Sequence, residues 1–351
     1  MEQKRIRDYG IQIGEMPTGK LNKISDVPGV KVGHATLDDA RHKTGLSVIL
    51  PGPDNVFLNK PVAAAHVLNG FGKTLGLMQL QELGVIETPI VLTNTLNVGL
   101  IHDAMVGYMI GQCQRDGVHL TSVNPIVCEC NDATLNDIQK RDLGGAHLMA
   151  AIRDARAGFR EGDVGCGKGT VCHSLKGGVG SASRQIEIDG KIYTLGVLVQ
   201  SNHGSLKDLM IAGRPAGRII DSALNCSAPD KGSIISVMAT DLPLSSRQIG
   251  RVIRRASVGL ARLGSFIGHG SGEVMIGFTT ANRMPHESEK GLMNFQALSE
   301  GHINPVFRAM AEAEEEAVLN SMVTAQTVTG YQGTVKRSLS EFMDQILSWR
   351  G

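Results

Sequence analysis

The sequence predicts an α/β protein built as one domain over residues 1–351. Short apolar runs of strand type alternate with stretches of helical period, and no linker or low-complexity tract divides them. Hydrophobic residues make up 42% of the chain, enough for a large core. In chain order the strand-like runs are LSVIL (46–50), VAAAHVL (62–68), PIVLT (89–93), NPIVCE (124–129), YTLGVLVQ (193–200), IISVMA (234–239) and VMIGFTT (274–280). Residues 99–117 are apolar nearly all round, which predicts a buried helix. Over 245–263, Ile249, Val252, Ile253, Ala256, Leu260 and Leu263 recur at three- and four-residue steps. Ser245 with Gln248 gives that helix a capping-box start. Residues 304–326 repeat the helical pattern.

Charge and composition exclude several classes. With 35 basic against 34 acidic side chains, the formal charge of +1 offers no electrostatic case for nucleic acid or an anionic membrane. The opening MEQKRIRDYG has no apolar h-region, and no run approaches the ~20 residues of a membrane span. A soluble cytoplasmic protein is the expectation. Cys113, Cys128, Cys130, Cys166, Cys172 and Cys226 are then most simply reduced thiols.

Glycine supplies 43 residues, well above the usual ~7%, while aromatics are only 4%. Seven of these glycines fall in GDVGCGKGTVCHSLKGGVGSASR (162–184). Gly162, Gly167 and Lys168 fit G-x-x-x-x-G-K, but Gly169 stands where a phosphate loop needs Ser or Thr. In GFGKT (70–74) Val67 replaces the first glycine of that motif. Neither segment supports a nucleotide site, and backbone-exposing turns that line a pocket with N–H groups are expected instead. The cysteines lack paired zinc spacing; the Cys166–Cys172 gap comes nearest, and no metal is expected.

Several side chains carry two readings. Ser271 and Glu273 stand at alternate positions before an apolar strand, so they can share a face and a cavity, or be the solvated residues of a glycine-rich turn. Asn202 ends a strand, as a turn residue or as an amide donor to an oxyanion. His203 beside it reads as a surface residue. Glu129 is a carboxylate in an apolar run; it faces solvent at the strand end or pairs with a cation.

Gly232–Ser233 opens the run at 234–239. An internal serine is a weak nucleophile without an adjacent base, whereas an N-terminal serine carries its own, an α-amine of pKa ~8. Attack by Ser233 on the preceding carbonyl would create that terminus, and Gly232 would leave the carbonyl unhindered and tolerate a strained backbone. On the dipeptide alone, a Gly-Ser turn is the simpler reading.

SDVPGVKVGHAT (25–36), TNTLNVGLIHDA (93–104), KGGVGSASR (176–184), VQSNHG (199–204), KGSIISVMATDLPLS (231–245) and GHGSGE (268–273) together resemble the L-aminopeptidase D-amidase/D-esterase and β-peptidyl aminopeptidase family. The similarity runs in order over nearly the whole chain. It implies a four-layer α/β/β/α sandwich and self-cleavage into 1–232 and 233–351. By position, it implies Ser233 as nucleophile after Gly232, Asn202 as oxyanion donor, and Ser271 with Glu273 as a hydroxyl–carboxylate relay beside the amine. Glu129 would hold the substrate's free amino group. Some members carry an aromatic hydroxyl near this last segment, whereas Asn131–Thr134 contain no aromatic, so the resemblance supplies no second oxyanion donor.

The resemblance thus implies a serine aminopeptidase or amidase acting on small peptides or amino-acid amides with a free amino group, without metal or organic cofactor. Processed heterodimers would assemble as a homo-oligomer, with a tetramer expected. An acyltransferase on the same scaffold, or a catalytically silent binding protein, are the rival readings.

Overall fold

The computed structural model describes residues 3–224 and 232–349; Cys226 lies outside them. The core strands are β1 (Lys31–Asp38), β2 (Lys43–Leu50), β3 (Asn59–Gly70), β4 (Ile90–Asn94), β5 (Ile126–Cys130), the short β6 (Val171–Cys172) and β7 (Leu175–Lys176), β8 (Gly178–Ile188), β9 (Lys191–Asn202), β10 (Ser233–Thr240) and β11 (Gly272–Pro285). The α-helices are α1 (Leu77–Leu83), α2 (Val98–Arg115), α3 (Gly145–Asp154), α4 (Ala216–Leu224), α5 (Ser246–Ile253), α6 (Ala256–Arg262), α7 (Asn304–Val323) and α8 (Met343–Ser348).

Two mixed sheets form, in the orders β1-β2-β4-β5 and β3-β11-β10-β9-β8. Their inner faces share one core, with Ile49, Ile90, Leu92 and Cys128 meeting Leu198, Ile235, Val237 and Ile276. Outside the first sheet, Val48, Val91 and Val127 pack on Ile101, Met105 and Met109 of α2 and Leu148 of α3. Outside the second, Ile234, Met238 and Met275 pack with α5, α6 and α7. This is the expected α/β/β/α sandwich. Both faces of β10 are buried, which explains its unbroken apolar run. None of the described helices is long and apolar enough to cross a membrane.

Three local expectations need correction. The helix at 98–115 buries only the stripe Val98, Ile101, Met105, Met109 and Cys113, while Leu100 and Ile110 are exposed on its outer side. The pattern over 245–263 is two helices, α5 and α6, although Ser245 caps the first as expected, its Oγ accepting from Gln248 N. The last seven residues of the glycine-rich stretch, 178–184, lie in the buried strand β8 rather than in a turn. A Cβ on Gly180 would stand 2.0 Å from the Ala317 carbonyl oxygen of α7, so the helix lies directly on the strand's backbone. Beside that contact, fully buried Arg184 donates to Glu312 at 3.1 Å and Glu316 at 2.8 Å, which pins α7 to β8.

Candidate active site

The site forms where three strands of the second sheet end together. Ser233, the first residue of β10, lies opposite Asn202 of antiparallel β9 and beside Gly272 of parallel β11. Gly272 in turn faces Gly70 at the end of β3. A Cβ on Gly232 would stand 1.8 Å from the Asn202 carbonyl oxygen and 3.0 Å from His203 Cα. Glycine is therefore required here by the close approach of β9. The Gly272 N–H lies 3.0 Å from the Gly232 carbonyl oxygen and 3.2 Å from Ser233 Oγ. One backbone donor thus serves both the hydroxyl and the carbonyl before it.

Alternation along β9 and β10 puts Asn202 and Ser233 on one face, that of Leu198, Gln200 and Ile235 toward the other sheet. The Asn202 carboxamide oxygen accepts from Val171 N at 2.8 Å. Only Oδ1 can accept, so this bond fixes the orientation of the amide and turns Nδ2 away from Val171. Asn202 is thus a buried, oriented amide rather than a turn residue.

Ser271 and Glu273 are both fully buried, and Ser271 Oγ donates to Glu273 Oε1. The shared-face reading holds, and the solvated-turn reading does not. Asn69 Nδ2 donates to the carbonyls of Gly268 at 2.9 Å and Ser271 at 2.6 Å, holding the turn before β11.

Glu129 sits at the end of β5 in the first sheet, buried at 3% exposure. Its Oε1 accepts from Lys73 N at 2.9 Å and its Oε2 from Thr95 Oγ1. Neither contact is a cation, and the solvent-facing alternative is excluded. The segment Phe71–Leu75 joins the two halves of the site. It leaves β3 beside Gly272, contacts Glu129 through Lys73, and bonds to β5 through Leu75 N and the Val127 carbonyl at 2.9 Å. Cys130 makes a further link, with Sγ 3.5 Å from the Ser233 carbonyl oxygen. Burial pushes its thiol well above the usual range, so it stays protonated.

His203 is not on the surface. It is buried, its ring meets His173 edge-to-face at 5.4 Å, and burial pulls its pKa down to about 3, leaving a neutral imidazole. Potential ligand atoms of Cys172, His173 and His203 lie within 4.8 Å of one another, with Cys172 Sγ 3.9 Å from His203 Nδ1. Lys168 bonds to Asp38 and Asp163, so the phosphate-loop lysine is spent on carboxylates. The thiols of the five described cysteines are buried and form no disulfide.

The chain matches the profile of Peptidase family S58 over residues 22–336. It belongs to that family. Across 363 aligned residues it is 36% identical to beta-peptidyl aminopeptidase BapA of Sphingosinicella microcystinivorans, covering 96% of this chain and 90% of that one. A solved protein of Pyrococcus horikoshii OT3 superposes with a TM-score of 0.90 at 45% identity, over 97% of this chain and 98% of the other. The L-aminopeptidase D-Ala-esterase/amidase of Ochrobactrum anthropi, described as a prototype serine aminopeptidase and a variant of the Ntn hydrolase fold, gives a TM-score of 0.90 at 32% identity. That alignment spans 97% of this chain and 96% of the other. The S58 chain shares this fold and is a peptide-bond hydrolase.

Sequence reasoning missed the backbone donors of Gly272, Lys73 and Val171 and the hydroxyl of Thr95. Thr95 lies inside a motif of the resemblance, but no local pattern signals its contact with a residue 34 positions away.

Proposed function

We propose that this S58 chain cuts itself between Gly232 and Ser233 and then works as an aminopeptidase or amidase with Ser233 as nucleophile. The observation that carries the reading is the pairing of Ser233 with the oriented amide of Asn202 on one strand face. In the precursor, Ser233 Oγ attacks the Gly232 carbonyl, which already accepts from Gly272 N. The C–N bond breaks, an ester forms, and water cleaves it to leave a free α-amine.

In the mature enzyme that amine takes the Oγ proton as Oγ attacks the substrate's carbonyl. Asn202 Nδ2 donates to the oxyanion, the leaving amine departs with the proton, and water resolves the acyl-enzyme. Ser271 and Glu273 share the strand face of Ile234 rather than that of Oγ, so their route to Ser233 is by its α-nitrogen. Glu129 takes the substrate's ammonium. Substrates would be peptides, amino-acid amides or esters with a free amino end, in keeping with the activities named for the BapA and Ochrobactrum relatives. No step is routed through a metal or cofactor. The processed pairs would form a cytoplasmic homo-oligomer, a tetramer by the family resemblance; exposed Met78 and Leu83 on α1 offer apolar surface for it.

Purified protein should separate on denaturing gels into two chains, the smaller beginning Ser-Ile-Ile-Ser. Ser233→Ala should remain one inactive chain. A fully active, intact 351-residue polypeptide would overturn the proposal.

A further inference from the structure

Among the described residues two fully buried cations stand outside the reaction scheme, Arg184, which pairs with two glutamates, and Lys176. Lys176 of β7 has no exposed surface. Its Nζ donates to the backbone carbonyls of Gly167 at 2.8 Å, Thr170 at 3.0 Å and Gly177 at 2.8 Å. These three bonds use every N–H of an ammonium. Among the described residues no carboxylate bonds to it, and burial, partly offset by the charge of Asp163, pulls its pKa down to about 7. A lysine held this way, on carbonyls only, is expensive to bury.

The position of those carbonyls supplies the reason. The carbonyl of Thr170 and the N–H of Val171 belong to one planar peptide unit, and in a trans peptide they point in opposite directions. Lys176 holds the carbonyl end of that unit at 3.0 Å, while the N–H end donates to Asn202 Oδ1 at 2.8 Å. Two further bonds stiffen it: Gly177 N donates to the Thr170 carbonyl at 3.0 Å, and Thr170 Oγ1 to the Gly167 carbonyl at 3.1 Å. When protonated, the ammonium bonded to the carbonyl oxygen also polarises the peptide, strengthening the N–H as a donor and, through Oδ1, the Nδ2 beyond it.

We propose that Lys176 is a positioning residue for catalysis: it fixes and polarises the Thr170–Val171 peptide, which holds the Asn202 amide with Nδ2 toward the developing oxyanion. This rests on Asn202 as the oxyanion donor, and a double-mutant cycle separates the two ideas. Turnover of an amino-acid p-nitroanilide is measured for wild type, Lys176→Met, Asn202→Ala and the double variant, with rates expressed per processed chain counted on gels.

Lys176→Met should lower kcat about 10- to 100-fold with KM within about threefold, because the contact acts only on charge developing in the transition state. Asn202→Ala should lower kcat by ~10²–10³. The double variant should be no slower than Asn202→Ala within about threefold, since the lysine then has nothing left to position. A Lys176→Met enzyme within threefold of wild type, or a loss that multiplies in the double variant, overturns the role for Lys176 and leaves Asn202 standing. Near-normal turnover by Asn202→Ala removes the oxyanion reading, and the inference falls with it. Should Lys176→Met give no soluble protein, Lys176→Gln, which keeps two donors, takes its place. Failure of both to fold would show a structural lysine and refute the proposal.

Discussion

Replacing Gly232 by alanine tests the close approach at the cut directly. The added Cβ would stand 1.8 Å from the Asn202 carbonyl oxygen and 2.8 Å from its carbon. A relaxed C–H···O contact is about 3.3 Å or longer, so roughly 1.5 Å of movement is needed between residue 232 and β9. The atoms struck are backbone, held in the β9–β10 ladder, and no side chain can swing aside to relieve them. That displacement stretches the 3.0 Å bond from Gly272 N to the Gly232 carbonyl past the range of a hydrogen bond. Misplacement of about 1 Å is worth ~10² in rate, so self-cleavage should slow by about 100-fold or more. The strain should also lower stability by about 1–3 kcal/mol. Freshly purified precursor is followed on denaturing gels and by intact mass. Gly99→Ala, whose Cβ meets nothing within 4 Å, serves as the control. Processing of Gly232→Ala within threefold of that control would refute the argument, because the precursor's junction could not then lie against β9 as described.

Two other perturbations follow from buried carboxylates. Glu129→Gln keeps the shape and the bond from Lys73 N, with its Nε2 donating to Thr95 Oγ1 in place of the bond Thr95 gave, but removes the charge facing a substrate ammonium. KM for amino-acid amides should rise far more than kcat falls, and self-cleavage should continue; an unchanged KM, or efficient wild-type turnover of N-acetylated amides, would exclude that role. Glu314 of α7 lies fully buried with Ser236 Oγ donating to it at 2.5 Å, and burial pushes its carboxyl from 4.5 up to about 8. The folded chain then holds this proton more tightly than the unfolded one, so stability present below pH 4.5 is lost as pH rises to about 8, on the order of 5 kcal/mol. In an uncleaved Ser233→Ala background, the urea midpoint should fall from pH 5 to pH 8, and Glu314→Gln should flatten that fall. Parallel pH curves for the two would contradict it.

The strands legible in the sequence were those that carry an unbroken apolar run, as in β10 and β11. β1 and β8 were not legible. KVGHATLD and GVGSASRQIEI carry small and polar residues, and what makes β8 a strand is α7 lying on its glycines and reaching Arg184 with two glutamates. Period alone also could not say that α2 is covered on one side only. In the site, the two-residue spacing of Ser271 and Glu273 allowed a shared face, since alternation is a local property, but left the solvated turn open as well. The orientation of Asn202 was out of reach, because it depends on a backbone N–H 31 residues away, presented by a turn that a buried lysine holds. His203 misled for a related reason: its burial is decided by His173, whose backbone N donates to the His203 carbonyl at 2.7 Å.

The strand order β3-β11-β10-β9-β8 interleaves the segments on either side of the Gly232–Ser233 junction. β10 and β11 come from the C-terminal portion, and both of their outer neighbours, β3 and β9, come from the N-terminal portion. The later segment is a wedge set between two strands of the earlier one. A scission before Ser233 therefore severs a tether without loosening the wedge, which two ladders still grip. The same threading imposes an order of events. Neither portion can complete its half of the sheet unaided, so the geometry that permits the cut exists only after the whole chain has closed around it. Under the proposed self-cleavage, the cut would thereby record that folding has finished.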